Sequence, residues 1–276
     1  MAKLDFIVHF WGVRGSVPVS GPETARYGGN TACVEMRCGK HVLIFDAGTG
    51  LKSAGLTLDR AGSVEANMFF SHCHWDHIIG FPFFLPFFRP KNKITMWSGH
   101  LEGTMTTREM IAGIMRPPYF PAGPEVLAAK TNFREFKPGD VLKPNGDISI
   151  ATIRLNHPGG AVGYRVDHHG KSVAYLTDNE HVADAPDPDL VAFIKDADLV
   201  IYDATYTDEE LPRFRGYGHS TWQHGVKLCE AAGAKRLAIF HHSPLRSDAE
   251  LDAIEEAAQL QFPGAFVARD DLTVTL

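Results

Sequence analysis

The stretch His72-Cys73-His74-Trp75-Asp76-His77 follows the apolar run 68–70 and places four metal-binding side chains within six residues. Two histidines that lie two positions apart on an extended segment point their imidazoles to the same side. The Asp-His pair one step further along can turn toward a second cation. Imidazole and carboxylate together favour zinc, and manganese, iron or nickel are alternatives by ligand type.

Two simpler interpretations of this stretch are a chance cluster of surface histidines and a strand end that binds one structural zinc ion. A structural site usually contains cysteines and closes its coordination with four protein ligands. Here the side chain of Cys73 should point away from the two histidines that flank it on an alternating backbone. The residues therefore favour half of a two-metal hydrolase site.

The hexapeptide resembles the His-x-His-x-Asp-His motif of the metallo-β-lactamase superfamily. This resemblance implies an α/β fold, the four-layer αβ/βα sandwich, with a dinuclear metal centre between two similar halves. It implies two divalent metal ions, zinc first, with manganese or iron as alternatives. The metal ligands that it assigns are His72, His74, Asp76, His77, His157, Asp178 and His241.

Each of the three later ligand candidates follows a predicted strand. His157 precedes Pro158 and two glycines, which predict a sharp turn that fixes the imidazole. The two carboxylate oxygens of Asp178 can bridge cations that lie about 3.5 to 4 Å apart. Strand alternation does not decide between His241 and His242, but the family places its ligand first after the strand.

Asp46 also lies at a family position, one that is usually not a metal ligand. A carboxylate that accepts the distal N–H of a ligand histidine fixes the tautomer of that histidine. The alternative role for Asp46 is to cap the helix that follows Gly50, and the two roles are compatible.

Apolar runs and helical runs alternate with Gly and Pro, which predicts one layered α/β domain over residues 1–276. Two Pro- and Phe-rich runs, 81–90 and 116–124, predict an apolar loop that either covers a cleft or packs on the core. The predicted helices are 50–61, a short one near 76, 104–115, 187–194, 221–232 and 248–260. The predicted strands are 6–10, 32–37, 41–45, 66–71, 94–97, 148–155, 162–166, 173–177, 199–202 and 236–240.

Hydrophobic content, the length of apolar runs and net charge limit the classes to which the protein can belong. The hydrophobic content of 44% suffices for a sizeable core, and the longest apolar runs fall short of a membrane span. Because the start, residues 1–5, lacks a basic and apolar export signal, we expect a cytoplasmic protein with four free cysteines. The net charge of -6 argues against a long nucleic acid as partner, and a homodimer is an expectation from the family alone.

Two cations that share one water lower its pKa to about 7 and so supply a nucleophile near neutral pH. Attack by metal-bound hydroxide suits phosphodiesters, β-lactams, lactones and thioesters alike, so the metal motif predicts hydrolysis and leaves the substrate open. The residues expected to have catalytic roles are Asp76, Asp203 and His219.

The C-terminal half resembles the tRNase Z branch of the family and its small phosphodiesterase relatives. In this resemblance His219, with Asp203 as its acidic partner, protonates the leaving alkoxide, although tRNase Z commonly has Glu where this chain has Asp203. A phosphodiester needs such a donor because its leaving oxygen is poor. The alternative is that His219 only adjoins the start of a helix at Ser220.

Two further features favour a small substrate. The tRNase Z enzymes carry a long basic, glycine-rich arm shortly after the ligand matched by His157, whereas here Pro158-Gly159-Gly160 continues directly into a predicted strand. The runs 11–18 and 27–31 resemble bacterial metallo-hydrolases grouped with small-molecule phosphodiesterases, and the resemblance is weakest across 98–146. We therefore predict a phosphodiesterase for a small ester, a cyclic nucleotide first. The alternatives are a lactonase or thioesterase, a tRNA 3′-processing-like ribonuclease, and a non-catalytic nucleotide sensor.

Several residues are candidates for contacting the substrate. Glycine-flanked backbone and guanidinium can together hold oxyanions, which favours Arg14 and Arg26 as phosphate contacts. A structural arginine is the alternative for both. The substrate-binding candidates are Arg14, Asn30 and Tyr119, with Arg116 and Arg246 as weaker ones.

Overall fold

The computed structural model describes residues 6–276, whose strands form two seven-stranded sheets. The expectation drawn from residues 1–5 lies outside the described residues. The strands are β1 Phe6–Gly12, β2 Cys33–Cys38, β3 His41–Phe45, β4 Glu65–Phe70, β5 Lys93–Ser98, β6 Lys130–Glu135, β7 Val141–Leu142, β8 Ser149–Leu155, β9 Ala161–His168, β10 Lys171–Leu176, β11 Leu199–Asp203, β12 Leu237–Phe240, β13 Ala265–Val267 and β14 Leu272–Thr275. The helices are α1 Leu51–Ala61, α2 Trp75–Ile78, α3 Thr107–Ile114, α4 Pro188–Phe193, α5 Trp222–Ala232 and α6 Asp248–Gln261.

Both sheets are mixed. The first has the order β14-β1-β2-β3-β4-β5-β6 and is parallel from β3 to β6. The second has the order β13-β12-β11-β10-β9-β8-β7 and is parallel from β10 to β13. Parallel strands end at one edge of their sheet, so polar residues that directly follow them gather there.

The apolar faces of the two sheets pack against each other and form the central core. Phe45 of the first sheet and Phe240 of the second both contact the ring of Tyr175, each with centroids 5.7 Å apart. Helices α1 and α3 cover the outer face of the first sheet, and α4, α5 and α6 cover the outer face of the second. The predicted four-layer αβ/βα sandwich is confirmed.

Sequence periodicity predicted ten of the strands and all six helices to within a few residues. It missed β6, β7, β13 and β14. Strands β7 and β13 have only two and three residues, and β6 is a largely exposed edge strand, so none of them has a clear alternation of apolar and polar residues.

The run 81–90 packs on the core, which is the second of its two predicted arrangements. Phe81, Phe84 and Phe87 are completely buried beside α1. Gly55 of that helix makes the close contact possible, because a Cβ there would lie 2.8 Å from the ring of Phe84. The exposed Phe83 reaches the second apolar run, where its ring meets that of Phe120.

Two expectations from composition can be compared with the described part of the chain. Its four cysteines are free thiols, as expected. None of the helices within residues 6–276 is long and apolar enough to cross a membrane.

Candidate metal centre

All seven predicted ligands lie together where the two sheets meet. His72 and His74 lie between β4 and α2, and Asp76 and His77 lie on α2, the short helix that comes next. The other three, His157, Asp178 and His241, follow β8, β10 and β12 of the second sheet. Both halves of the sandwich therefore contribute donor atoms to one site.

The first group of donors consists of His72, His74 and His157. Their ligand atoms lie within 4.8 Å of one another, with His157 Nε2 3.0 Å from His74 Nδ1. Asp178 Oδ1 lies 3.6 Å from His157 Nε2 and 3.7 Å from His72 Nε2. The buried His72 Nε2 has no hydrogen-bond partner among residues 6–276, so its lone pair is available to a cation at this point. Burial lowers the pKa of His72 well below its ordinary value and keeps the ring neutral, as ligation requires.

The second group consists of Asp76, His77 and His241. The Nε2 atoms of the two histidines face each other at 3.2 Å, and Asp76 Oδ2 lies 3.3 Å from His77 Nε2 and 3.2 Å from His241 Nε2. Asp178 Oδ2 lies 3.1 Å from His77 Nε2 and 3.3 Å from His241 Nε2. One oxygen of Asp178 thus faces each group, the arrangement that a carboxylate shared by two cations needs.

Hydrogen bonds behind the ligands fix the orientation of the rings. His77 Nδ1–H donates to Asp46 Oδ2 at 2.8 Å, and His157 Nδ1–H donates to the carbonyl of Gly218 at 2.8 Å. Asp46 also accepts from Ser71 and Tyr175. It is committed to this network and does not cap α1, which begins after Gly50. Such outer hydrogen bonds leave Nε2 of both rings free to bind metal.

Three site residues have a left-handed backbone, although none is glycine. The φ angles of Asp46, Asp178 and His241 are 60°, 55° and 60°, and each residue lies within two positions of the end of a strand. Non-glycine residues in this region cost about 1 to 3 kcal/mol and persist only where the surrounding structure holds them. Here the left-handed backbone directs each side chain into the site, and not to the side that continued strand alternation would give it.

The same turn decides between the two adjacent histidines. His241 lies in the second donor group, whereas His242 Nε2–H donates to the carbonyl of Ala268 at 2.7 Å. Burial lowers the pKa of His242 to about 3, so it is a neutral core residue. The structure therefore places His241 at the centre and His242 outside it.

Two glycines, overlooked from the sequence, make room for the ligands. A Cβ on Gly15 would lie 2.3 Å from His241 Cε1, and a Cβ on Gly218 would lie 2.2 Å from His157 Nδ1. No side chain fits at either position unless the imidazole moves. Gly218 had a signal in the sequence, since it directly precedes the candidate acid His219.

The replacement Gly218→Ala is expected to lower turnover about a hundredfold, because it displaces His157 from the first donor group. Gly216→Ala is the matched control, since Gly216 has a φ of 90° against 87° for Gly218 but has no atom within 4 Å of its Cβ position. Both variants place Ala in a strained conformation that costs about 1 to 2 kcal/mol. Equal losses of hydrolytic activity in the two variants would show that backbone strain, and not His157, is responsible.

The predicted acid pair lies directly beside the donor groups. His219 Nδ1 is 2.8 Å from Asp203 Oδ2 and 3.7 Å from Asp178 Oδ1. Asp203 is completely buried and also accepts from the backbone and hydroxyl of Thr205. Burial opposes a charge on His219, but Asp203 outweighs it and raises the pKa of His219 to about 9. Asp203 thus favours the protonated form of His219 beside the two donor groups.

The predicted contact between Arg14 and a phosphate is wrong. Its side chain is completely buried, and its guanidinium donates to the carbonyls of Gly28, Ser243 and Arg246 at 2.8, 3.1 and 2.7 Å. The guanidinium binds three loop carbonyls. Arg14 therefore has a structural role, which was the alternative to phosphate binding. Its exclusion from solvent could not be foreseen, because the loop 243–246 that covers it lies more than two hundred residues away in the chain.

The other substrate candidates pair with protein groups or lie exposed, although Arg246 lines a cleft next to Thr205 and Tyr206. Asn30 Nδ2–H donates to Asp270, and Asn30 Oδ1 accepts from Thr49, so its amide is already used. Arg26 pairs with Asp252 of α6, and Arg246 pairs with Glu210. Tyr119 is 69% exposed on its loop, and its role stays a prediction.

A cleft of about 350 Å³ that the sequence did not predict opens beside the acid pair. Thr205, whose hydroxyl lies 3.0 Å from His241 Nδ1, forms one wall with Tyr206. The ring of Tyr206 stacks on Phe214 at 4.6 Å and meets His219 edge-on at 6.0 Å. This aromatic wall therefore leads from the candidate acid toward solvent.

Comparison with known proteins gives a family match and several relatives. The family model described as Beta-lactamase superfamily domain matches residues 41–242. A ribonuclease Z of Haloarcula marismortui is 24% identical, and the match covers 96% of this chain and 94% of that protein.

Two solved structures share the fold over nearly their whole length. The short form of human tRNase Z is 22% identical with a TM-score of 0.69, covering 97% of this chain and 98% of that one. A diphosphatase of the PhnP family is 17% identical with a TM-score of 0.71, covering 99% of this chain and 97% of that one.

Proposed function

The chain belongs to the β-lactamase superfamily, and from this premise we propose that it is a metal-dependent phosphodiesterase. Its substrate is a small phosphodiester, a cyclic nucleotide first. The observation that carries the proposal is the pair His219–Asp203, which lies 3.7 Å from the shared carboxylate of Asp178.

The seven donor residues of the two groups would hold two divalent cations, with zinc favoured by five imidazoles and two carboxylates. A bound metal pair supplies an activated water and polarises the phosphoryl oxygens. The protein keeps the donors in place through the hydrogen bonds to Asp46, Gly218 and Thr205. Because these bonds fix the rings before a substrate arrives, the site needs little reorganisation.

His219 supplies a proton to the leaving alkoxide. A phosphodiester loses a strongly basic oxygen, so a positioned acid speeds its departure, whereas a lactam or thioester needs less help. Asp203 Oδ2 accepts from His219 Nδ1–H and thereby directs Nε2 away from itself. Nε2 is then the nitrogen that faces the leaving group.

The short turn after His157 favours a small ester. The backbone N–H of Gly160 donates to the carbonyl of His157 at 2.9 Å, and β9 begins at the next residue. The chain therefore has no room at this point for the arm expected of a tRNase Z. In the cleft, Tyr206 and Phe214 offer an aromatic wall against which a nucleobase can pack.

A second candidate is a ribonuclease that processes the 3′ end of tRNA precursors. The relatives named ribonuclease Z favour it, since one of them matches 96% of this chain. The two candidates share the metal centre and the acid pair, and they differ in how a large RNA would be held.

A substrate panel tests the proposal. Zinc-loaded protein is assayed with 2′,3′- and 3′,5′-cyclic nucleotides, bis(p-nitrophenyl) phosphate, a tRNA precursor, lactones and a glutathione thioester. We expect hydrolysis of the phosphodiesters, with the highest kcat/KM for a cyclic nucleotide. Turnover of a lactone or the thioester alone would overturn the proposal, and cleavage of the tRNA precursor alone would establish the second candidate.

A further inference from the structure

A second cluster of metal-binding side chains lies at the opposite end of β10 from Asp178. It consists of Asp147, His168 and His169, whose ligand atoms lie within 4.8 Å of one another. Asp147 Oδ1 is 3.6 Å from His168 Nδ1, and Asp147 Oδ2 is 2.6 Å from His169 Nε2. The six residues of β10 separate this cluster from the catalytic centre by about 20 Å.

His168 is the residue of the cluster that the fold leaves unexplained. It is only 3% exposed, and neither ring nitrogen has a hydrogen-bond partner within residues 6–276. Burial of an imidazole without partners is unfavourable. The ring packs edge-on against Phe6 with centroids 6.2 Å apart, so it is held in place at the mouth of the cluster.

The hairpin between β9 and β10 presents both imidazoles together. His168 pairs with Lys171, which leaves His169 and Gly170 as a two-residue turn with φ angles of 49° and 75°. Such a turn favours Asn-Gly or Asp-Gly, so histidine is unusual at its first position. The left-handed backbone of His169 places the centroid of its ring 4.1 Å from the ring centroid of His168.

We propose that Asp147, His168 and His169 bind a third divalent transition-metal ion, independent of the catalytic pair. Two imidazoles and one carboxylate suit Zn²⁺, with water completing the coordination. The ion gives His168 a partner that residues 6–276 do not provide. The ion also links the loop before β8 to the β9–β10 hairpin. It therefore connects neighbouring strands of the second sheet.

A plain ion pair between His169 and Asp147 is the simpler account of the cluster. It leaves both nitrogens of His168 without a partner in the described part of the chain, whereas a metal ion would bind one of them.

The test counts zinc by equilibrium dialysis and mass spectrometry at rising free Zn²⁺, in the full chain and in His169→Ala. Because the side chain of His169 is 43% exposed, its removal should not prevent folding. We expect one ion fewer in the variant, or at least about tenfold weaker binding of the last ion. His9→Ala is the matched control, since His9 lies 3.7 Å from a carboxylate of Asp271. It should keep the full count.

Asp147→Asn provides a second variant, because Asp147 is 51% exposed and its replacement preserves size. It should lose the same ion as His169→Ala, with phosphodiesterase turnover unchanged in both. The same number and affinity of zinc ions in the unmodified chain and in both variants would overturn the proposal. This comparison does not depend on how many ions the catalytic centre holds or on which substrate it hydrolyses.

Discussion

Replacing Asp178 with Ala is expected to remove the metal pair and to lower turnover by about a thousandfold or more. The physical reason is that its two oxygens face different donor groups, at 3.6 Å from His157 Nε2 and 3.1 Å from His77 Nε2. Each cation loses one ligand, and the negative charge that offsets two dications is lost as well. Metal content and kcat on bis(p-nitrophenyl) phosphate measure the two effects.

Asp198→Ala is the control for the loss of a buried carboxylate. Asp198 is 6% exposed and accepts from the backbone of Ser172 and from Lys235, at the end of the second sheet away from the centre. This variant should lose stability and keep its metal. If the Asp178→Ala protein retained both ions, the shared position of that carboxylate would be refuted.

The second large effect is expected for His219→Ala, which should keep the metals and lower kcat about 10² to 10⁴-fold on esters with an alkoxide leaving group. The loss should be much smaller for p-nitrophenyl esters, because p-nitrophenolate departs without a proton. Asp203→Asn should show the same dependence on the leaving group, since Asp203 holds the His219 ring at 2.8 Å. Rates for a series of substrates whose leaving groups have increasing pKa measure this dependence on the leaving group.

An equal fall for all leaving groups would instead indicate that His219 binds substrate or metal. Unchanged turnover would remove it from the mechanism. The unmodified protein and Gly216→Ala serve as references in the same series, because Gly216 lies on the same loop and contacts neither His157 nor His219.

The donor set could be predicted from the sequence because its pattern is local. Four donors lie within six residues, and the other three, which the family resemblance assigned, come within two residues of the end of a strand. Parallel strands end at one edge of a sheet, so candidates far apart in the chain were expected to meet. The family resemblance predicted that Asp46 accepts a hydrogen bond from a ligand histidine, and in the structure that histidine is His77.

Features that depend on long-range packing could not be predicted. The choice between His241 and His242 rests on a left-handed backbone at a non-glycine residue, which no local pattern indicates. The burial of Arg14 depends on the loop 243–246, and the aromatic wall depends on how Tyr206 stacks on Phe214. Each of these features forms only when distant segments meet.

The arrangement of two cations around one carboxylate is tested most directly by anomalous diffraction at the zinc absorption edge from crystals of the zinc-loaded protein. At this centre the account predicts two peaks about 3.5 to 4 Å apart, one on each side of Asp178. The first should be surrounded by His72, His74 and His157, and the second by Asp76, His77 and His241. A single peak at this position, or zinc bound only at other residues, would contradict it.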